Sequence, residues 1–425
     1  MSADGVTKKH LLDVEEAVAR VVAGVRPLGT EVLPLAAARG RVLAKTVKSS
    51  VALPPWDNSA MDGYAVRAAD VGGVPVRLRV LETVAAGQFP SQAVTAGTAT
   101  RIMTGAPVPQ GADTVIRVED TDGGRESVEI RANRDATKNV RPRGEDIAAG
   151  GDALTAGVTL GAAQLGVLAA VGALQVEVVR IPRVAILTSG DELVPPDQFA
   201  EVAAGRKIVS SNGVTLAELV RDAGGDPVDL GIAKDTRESL REHLARAIAA
   251  PGADLVITSG GISVGEFDYV RDVLAELGAT LDFWRVRMRP GAPVGFGSLG
   301  SAAWIGLPGN PVSTMVTFEL FARPAIRKMR GHSFLHRSTV AVTLEDTVTL
   351  SPELTHFLRV VVTRHEGGRL GARLTGPQSS GVLSSMARAN ALLIVPRGTI
   401  EMRAGEMLRA IPLGGDAAYS VGFGS

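Results

Sequence analysis

Apolar and polar positions change their spacing several times along this 425-residue chain. Near the start, Leu11, Val14, Val18, Val21, Val22 and Val25 recur at helical spacing, which predicts an amphipathic helix over 10–25. A short helical or mixed stretch over 35–42 follows. Between 76 and 132 the period drops to two, over 76–80, 99–103, 114–118 and 127–131. Half-buried strands alternate in this way, so a small β-rich insert is expected. The segment 159–171 reads as a helix with Thr159 as cap and Gly172 as stop. From 182 to about 330, continuous β-branched runs begin at Val184, Val228, Leu255 and Ala303. Such runs suit strands buried on both faces. Helices are expected between them, over 215–223, stopped by Gly224 and Gly225, and over 236–249, capped by Thr236. Strand, helix, strand, helix predicts a doubly wound parallel sheet. Period two returns over 339–344, 356–363, 369–375, 391–395 and 407–411, a separate small β domain or barrel.

The strand ends carry the chemistry. The run from Leu255 leads into Thr258-Ser-Gly-Gly261, with Glu266 and Asp268 just beyond. Two adjacent glycines let the backbone turn sharply and bring amide N–H groups close to a ligand. The run from Val184 ends in Thr188-Ser-Gly-Asp-Glu192, that from Val228 ends at Asp235, and that from Ala303 ends in Leu307-Pro-Gly-Asn-Pro311. In a doubly wound sheet these loops gather at one edge, where such sheets bind ligands. Earlier, Trp56 and Tyr64 flank Asp57-Asn-Ser-Ala-Met-Asp62, either as anchors of a structural turn or as a pocket wall. The turn Arg141-Pro-Arg-Gly-Glu-Asp146 reads by default as a solvated loop. In Phe283-Trp-Arg-Val-Arg-Met-Arg289 a strand would place Arg285, Arg287 and Arg289 on one face. That face is either a solvated edge or an oxyanion site, since arginine offers fork-shaped donors to anions. With the acids nearby, the site would have a cation-binding pole and an anion-binding pole.

Composition narrows the classes. The length suggests roughly three domains. Lysine plus arginine and aspartate plus glutamate both number 45, so the net charge is zero and no electrostatic footprint for nucleic acid or an anionic membrane is present. There is no cysteine, which excludes disulfides, thiolate metal sites and a cysteine nucleophile, and fits a cytoplasmic location. No signal peptide and no membrane-length apolar run are visible. The histidines form no HExxH pattern, and neither a Walker sequence, a dinucleotide fingerprint nor a Gly-x-Ser-x-Gly elbow occurs.

Six motifs in order resemble the MoeA family of molybdopterin molybdenumtransferases, to which the last domain of gephyrin is also similar. They are Asp57-Asn-Ser-Ala-Met-Asp-Gly-Tyr-Ala65, Arg101-Ile-Met-Thr-Gly-Ala-Pro107, Arg143-Gly-Glu-Asp146, Thr188-Ser-Gly-Asp-Glu-Leu193, Ser259-Gly-Gly-Ile-Ser-Val-Gly-Glu-Phe-Asp-Tyr269 and Leu307-Pro-Gly-Asn-Pro-Val-Ser313. The resemblance runs from about residue 10 to the C-terminus. It implies a multidomain fold: an elongated discontinuous domain (1–52 and 147–181), a β-rich insert (53–146), a molybdopterin-binding α/β domain (182–331) and a C-terminal β domain (332–425). It implies a homodimer in which the N-terminal region of one subunit faces the α/β domain of the other. The implied reaction takes adenylylated molybdopterin, molybdate and a divalent cation such as Mg²⁺ to molybdenum cofactor and AMP. An upstream adenylyltransferase and molybdoenzyme chaperones are the further partners it suggests. The family's functional acids fall on Asp62, Asp146, Glu192, Asp235 and Asp268, with Glu192, Asp235 and Asp268 expected at the cation. Substrate contacts are expected at Thr104, at the strand ends Ser189, Gly190, Ser259, Gly260, Gly261, Pro308, Gly309 and Asn310, at Arg285 and Arg289, and at Arg359 and the serines of Gln378-Ser-Ser-Gly-Val-Leu-Ser-Ser385, Ser380 and Ser384 among them. Where relatives commonly carry lysines around Pro290, this chain has Arg285, Arg289 and Ala292, which keeps charge but changes geometry. Two other readings are an adenylyltransferase sharing the α/β domain, against which Asp62 and Asp146 stand, and a non-enzymatic pterin-binding scaffold, against which the intact acid set stands.

Overall fold

The computed structural model describes residues 11–249, 252–262 and 269–414. The chain divides into two compact units, Glu31–Val178 and a second made of Met1–Thr30 with Val179–Ser425.

In Glu31–Val178, a five-stranded sheet runs in the order Thr114–Arg117, Gly63–Val66, Thr98–Ile102, Val76–Val84, Ser127–Ile130. Four of these strands follow the expected period-two segments. The fifth, Gly63–Val66, is buried throughout and lies inside the sheet. It begins among turn formers, which hides it in the sequence. Tyr64, Leu78, Ile116, Val128 and Ile130 fill the core on one face. The chain enters and leaves this insert side by side, where the Leu53 N–H donates to the Ile147 carbonyl at 2.8 Å. A second small core holds Ala38, Leu43, Leu160, Leu168, Val176 and Val178. The helix there spans Ala162–Ala170 with Gly161, not Thr159, at its N-cap. Thr159 is instead held extended by a bridge to Val42. The 35–42 stretch contains one turn of 3₁₀ helix, Leu35–Ala37.

In the other unit, a six-stranded sheet runs Asp226–Ala233, Arg183–Ser189, Leu255–Ser259, Ala302–Leu307, Pro293–Leu299, Thr280–Arg285. The first four are parallel, as the continuous apolar runs predict. Pro293–Leu299 runs antiparallel to both its neighbours, so the sheet is mixed rather than wholly parallel. Its two-residue hairpin connection to Ala302–Leu307 is too short for a crossover helix. Both faces are covered. Val184, Ile186, Leu255, Ile257, Ile305 and Leu307 face one core, and Ala185, Leu187, Val256 and Trp304 face the other. Each fully buried side chain of this kind contributes about 1.5–3 kcal/mol, so a one-residue slip would cost the whole set. Helix Ser211–Ala223 covers the first face, and it starts four residues earlier than expected. Helix Arg237–Ile248 covers the second, with Thr236 Oγ1 accepting from the Ser239 N–H at 3.2 Å as its cap. The N-terminal helix, Val14–Ala23, buries Val14, Ala17 and Val21 in the first core. Residues up to Thr30 therefore group with the α/β sheet, while the remainder of the expected 1–52 segment groups with 147–178.

The C-terminal strands Val340–Leu344, Thr355–Arg364, Leu370–Leu374, Ala391–Val395 and Met407–Pro412 close into a ring. The pairing of Thr355–Arg364 with Ala391–Val395 joins its ends. A two-residue strand, Met288–Arg289, adds to the Thr355–Arg364 strand in parallel, opposite Thr355 and His356. The arginine run is thus not one strand. Thr280–Arg285 ends in the α/β sheet, and the chain crosses to the barrel at Val286 and Arg287. Among the described residues no helix is long and apolar enough to cross a membrane.

Candidate active site

The parallel strands deliver their loops to one cleft of about 490 Å³. Ser189, Gly190 and Glu192 come from the first strand, and Asp235 from the edge strand. Ser259, Gly260 and Gly261 come from the next, and Pro308, Gly309 and Asn310 from the last. Gly260 has φ of +98°, and a Cβ there would sit 2.6 Å from the Ser189 carbonyl oxygen. Gly261 has φ of +63°, and its Cβ would meet Val270 at 2.6 Å. Both the left-handed backbone and the close approach require glycine. Helix Ser211–Ala223 opens at the cleft, placing Ser211 and Asn212 in its wall.

One wall is acidic. Asp191 and Asp235 face each other through reciprocal bonds, each backbone N–H donating to the other's carboxylate at 3.3 Å. Burial pushes the Asp235 carboxyl above its usual range, and the charges of Asp191 and Glu192 push it the same way. Lys207 Nζ donates to the Asp191 carbonyl at 2.5 Å. Asp268 and Glu266 lie outside the described residues. Among the described residues no three acids or histidines converge as a metal cluster.

A second cavity of about 630 Å³ lies between the α/β sheet and the barrel. Arg289, Arg359, Gln378, Ser379 and Ser380 line it. Arg359 is fully buried. Its Nε donates to Ser385 Oγ at 3.1 Å, Nη1 to the Gln378 carbonyl at 3.1 Å, and Nη2 to the carbonyls of Pro377 at 3.3 Å and Ser379 at 2.9 Å. All four acceptors are neutral, and burial pulls the guanidinium down to about 10, so it stays charged at neutral pH. Among the described residues four of its five N–H donors are used, leaving one and a net positive charge beside the cavity.

Pro293, Pro308 and Asn310 belong to both cavities. The Pro308-Gly309-Asn310 turn is therefore a common wall, with carboxylates on one side and guanidiniums on the other. Of the expected arginines, Arg289 reaches the second cavity, whereas Arg285 is exposed at the end of its strand and lines neither. Arg287 donates to Asp13 at 3.3 Å. Ser380 lines the cavity, and Ser384 is exposed and does not; the adjacent Ser385 holds Arg359.

Asp62, Thr104 and Asp146 lie in the Glu31–Val178 unit. Asp62 Oδ1 accepts from both the backbone N–H and the hydroxyl of Thr104, each at 2.7 Å. The N–H, then the hydroxyl, holds its carboxyl below the usual range. Asp146 is exposed in a turn next to this region, where the Arg143 N–H donates to Asp57 at 2.7 Å. Tyr64 is core, its hydroxyl donating to the Gly124 carbonyl at 2.9 Å, while Trp56 packs edge-on against Phe89. Ser385 belongs to the serine run expected at the site, whereas sequence reading missed Asn212 and gave Gln378 no role of its own. Only the polar Ser210-Ser-Asn212 at a helix start offered a signal for Asn212.

Residues 12–172 match the family model for the MoeA N-terminal region (domain I and II). Residues 185–328 match a probable molybdopterin binding domain, and 341–413 the MoeA C-terminal region (domain IV). The chain is 39% identical over 406 residues to a molybdopterin molybdenumtransferase of Nostoc sp., covering 90% of this chain and 89% of the relative. It is 38% identical over 404 residues to molybdopterin molybdenumtransferase 2 of Mycobacterium tuberculosis, covering 93% and 97%. A molybdopterin biosynthesis moeA protein from Pyrococcus horikoshii OT3 superposes with a TM-score of 0.82 at 29% identity, covering 95% of this chain and all of that one.

Proposed function

The chain belongs to the MoeA family of molybdopterin molybdenumtransferases, and from that premise we propose how its two adjoining cavities divide the work. The enzyme is a transferase of molybdenum cofactor biosynthesis that inserts molybdate. The acid cleft takes adenylylated molybdopterin, and the arginine cavity takes molybdate. The carrying observation is the shared Pro308–Asn310 wall, which puts a carboxylate pole and a guanidinium pole on two sides of one turn.

Molybdate is a dianion. Arg289 offers an exposed guanidinium, and Arg359 a buried charge whose side-chain partners among the described residues are all neutral. The backbone N–H groups around Gly260 and Gly261 can approach a ligand closely because no Cβ intervenes. Glu192 and Asp235 would hold Mg²⁺, with Asp268 as a third candidate outside the described residues. Their oxygens suit a hard cation; burial first, and then the charges of Asp191 and Glu192, raise the Asp235 carboxyl, and a cation would offset both. When bound, such a cation neutralises charge on the pyrophosphate bridge as the adenylate is cleaved to AMP. Asp62, kept ionised by Thr104, and Asp146 are further acids that the family resemblance assigns to the reaction. The active form is a homodimer in the cytoplasm, which agrees with the absence of cysteine and is checked by light scattering and fractionation. An upstream adenylyltransferase would hand over its product.

The test is incubation of the purified protein with adenylylated molybdopterin, molybdate and Mg²⁺. AMP release that requires all three supports the reading. Conversion of ATP and molybdopterin to the adenylylated form would favour an adenylyltransferase instead, and tight pterin binding without turnover a scaffold. Matches to the MoeA N- and C-terminal models on either side of the α/β domain speak against the adenylyltransferase.

A further inference from the structure

We infer, on the reading of the acid cleft just proposed, that Asn212 selects the pterin by accepting a hydrogen bond from its 2-amino group. A side-chain amide carries two N–H donors and one carbonyl acceptor. One Asn212 terminal atom lies 2.8 Å from the Gly309 carbonyl oxygen. Two carbonyl oxygens would repel at that distance, so this atom is Nδ2, and the orientation of the amide is settled. The same Nδ2 lies 2.9 Å from Ser259 Oγ. That hydroxyl donates its own proton to the Pro308 carbonyl at 3.0 Å, so toward Asn212 it accepts. Both N–H groups of Asn212 are therefore spent on protein.

What remains is Oδ1. It has no hydrogen bond among the described residues, and Asn212 lines the cleft while only 9% exposed. Two bonds to two different strand ends fix the side chain, so the cleft presents one acceptor in a set direction. Such an atom disfavours a phosphate or carbonyl oxygen and favours an N–H donor. The pterin carries its amino group on the pyrimidine edge, at the end of the ring system away from the dithiolene. Asn212 thus holds that edge and leaves the dithiolene end free for the metal-inserting chemistry.

The same geometry makes a sharp specificity forecast. Lumazine has the shape of pterin with an oxo group in place of the 2-amino group, so it offers an acceptor where pterin offers a donor. In the AMP-release assay with full-length enzyme, 6-hydroxymethylpterin should inhibit at least about tenfold more strongly than 6-hydroxymethyllumazine. Asn212→Ala should bring the two inhibitors within about twofold of each other, with the half-saturating Mg²⁺ concentration unchanged. A merely structural role would weaken both inhibitors equally and preserve their ratio. Ser259→Ala removes a bond partner of Asn212 but keeps Oδ1, so it should retain the preference for pterin. Equal inhibition of the native enzyme by the two compounds, or inhibition by neither, overturns the assignment. So does a variant whose Mg²⁺ requirement moves while its preference stays, since Oδ1 would then face the cation. Absence of AMP release from the native enzyme would instead count against the proposed function.

Discussion

The two cavities beside the Pro308–Asn310 turn are built in opposite ways. The acid cleft is made of strand ends, glycines and short polar side chains, and its charge comes from carboxylates, among them Asp235, whose carboxyl is raised by burial and then by its acidic neighbours. The second cavity is lined by longer side chains from two sheets, and its charge comes from a buried arginine held by neutral acceptors. Each carries an unbalanced charge, of opposite sign, that a ligand would offset. The contrast teaches that one turn can keep a carboxylate-lined cavity and a guanidinium-lined cavity adjacent without letting their charges pair and cancel.

The comparison breaks most completely at Arg359. Arg359→Met leaves the Ser385 hydroxyl and three carbonyls without their donor. Unsatisfied buried groups of this kind cost about 1–3 kcal/mol each, so for these four a stability loss on the order of 4 kcal/mol or more is expected. Denaturant unfolding reads that loss, and molybdate-dependent AMP release should fall by about 100-fold or more. A smaller, sharper test crosses two substitutions. Arg289→Ala should raise the molybdate needed for half-maximal rate by about tenfold and leave the Mg²⁺ dependence alone, while Asp235→Asn should do the reverse. Arg287→Ala, whose side chain turns to Asp13, should move neither. If both main variants shift both ligands, the two poles are not separate.

Protonation offers a gentler probe. The folded-state pKa of Asp235 is raised, so its contribution to stability is present at low pH and is lost as pH rises through the raised value. Cation affinity runs the other way, increasing over the same window as the proton leaves. Asp235→Asn should flatten both dependences, read by thermal unfolding and by Mg²⁺ titration across pH. The smallest effect lies in the other unit. Thr104→Val removes one of two donors to Asp62, so the Asp62 pKa should rise toward its ordinary value, as carboxyl NMR titration would report.

Much of this was legible in the sequence for a physical reason. Strands such as Leu255–Ser259 are buried on both faces, so they read as unbroken apolar runs, and the Gly260-Gly261 turn announces itself by the conformations only glycine adopts easily. The arginine run misled because side-chain alternation continues while the backbone changes partners, from the α/β sheet at Arg285 to the barrel at Arg289. Asn212 showed in the sequence only as part of a polar helix start, because its partners, Ser259 and Gly309, are 47 and 97 residues away. The serine run over 378–385 was legible as a whole, but that Ser385 rather than Ser384 holds Arg359 depends on helix phase, which one residue turns by about 100°. The packing of Val14–Ala23 against the α/β core is likewise a tertiary fact, since its apolar stripe would fit any apolar face.

The central claim, that molybdate belongs on the arginine side of the turn, is tested most directly by soaking crystals with molybdate and locating molybdenum from its anomalous scattering. The account predicts a single strong peak in the cavity lined by Arg289, Arg359 and Ser380. A peak in the cleft beside Gly260, Glu192 and Asp235, with none near Arg359, would contradict it.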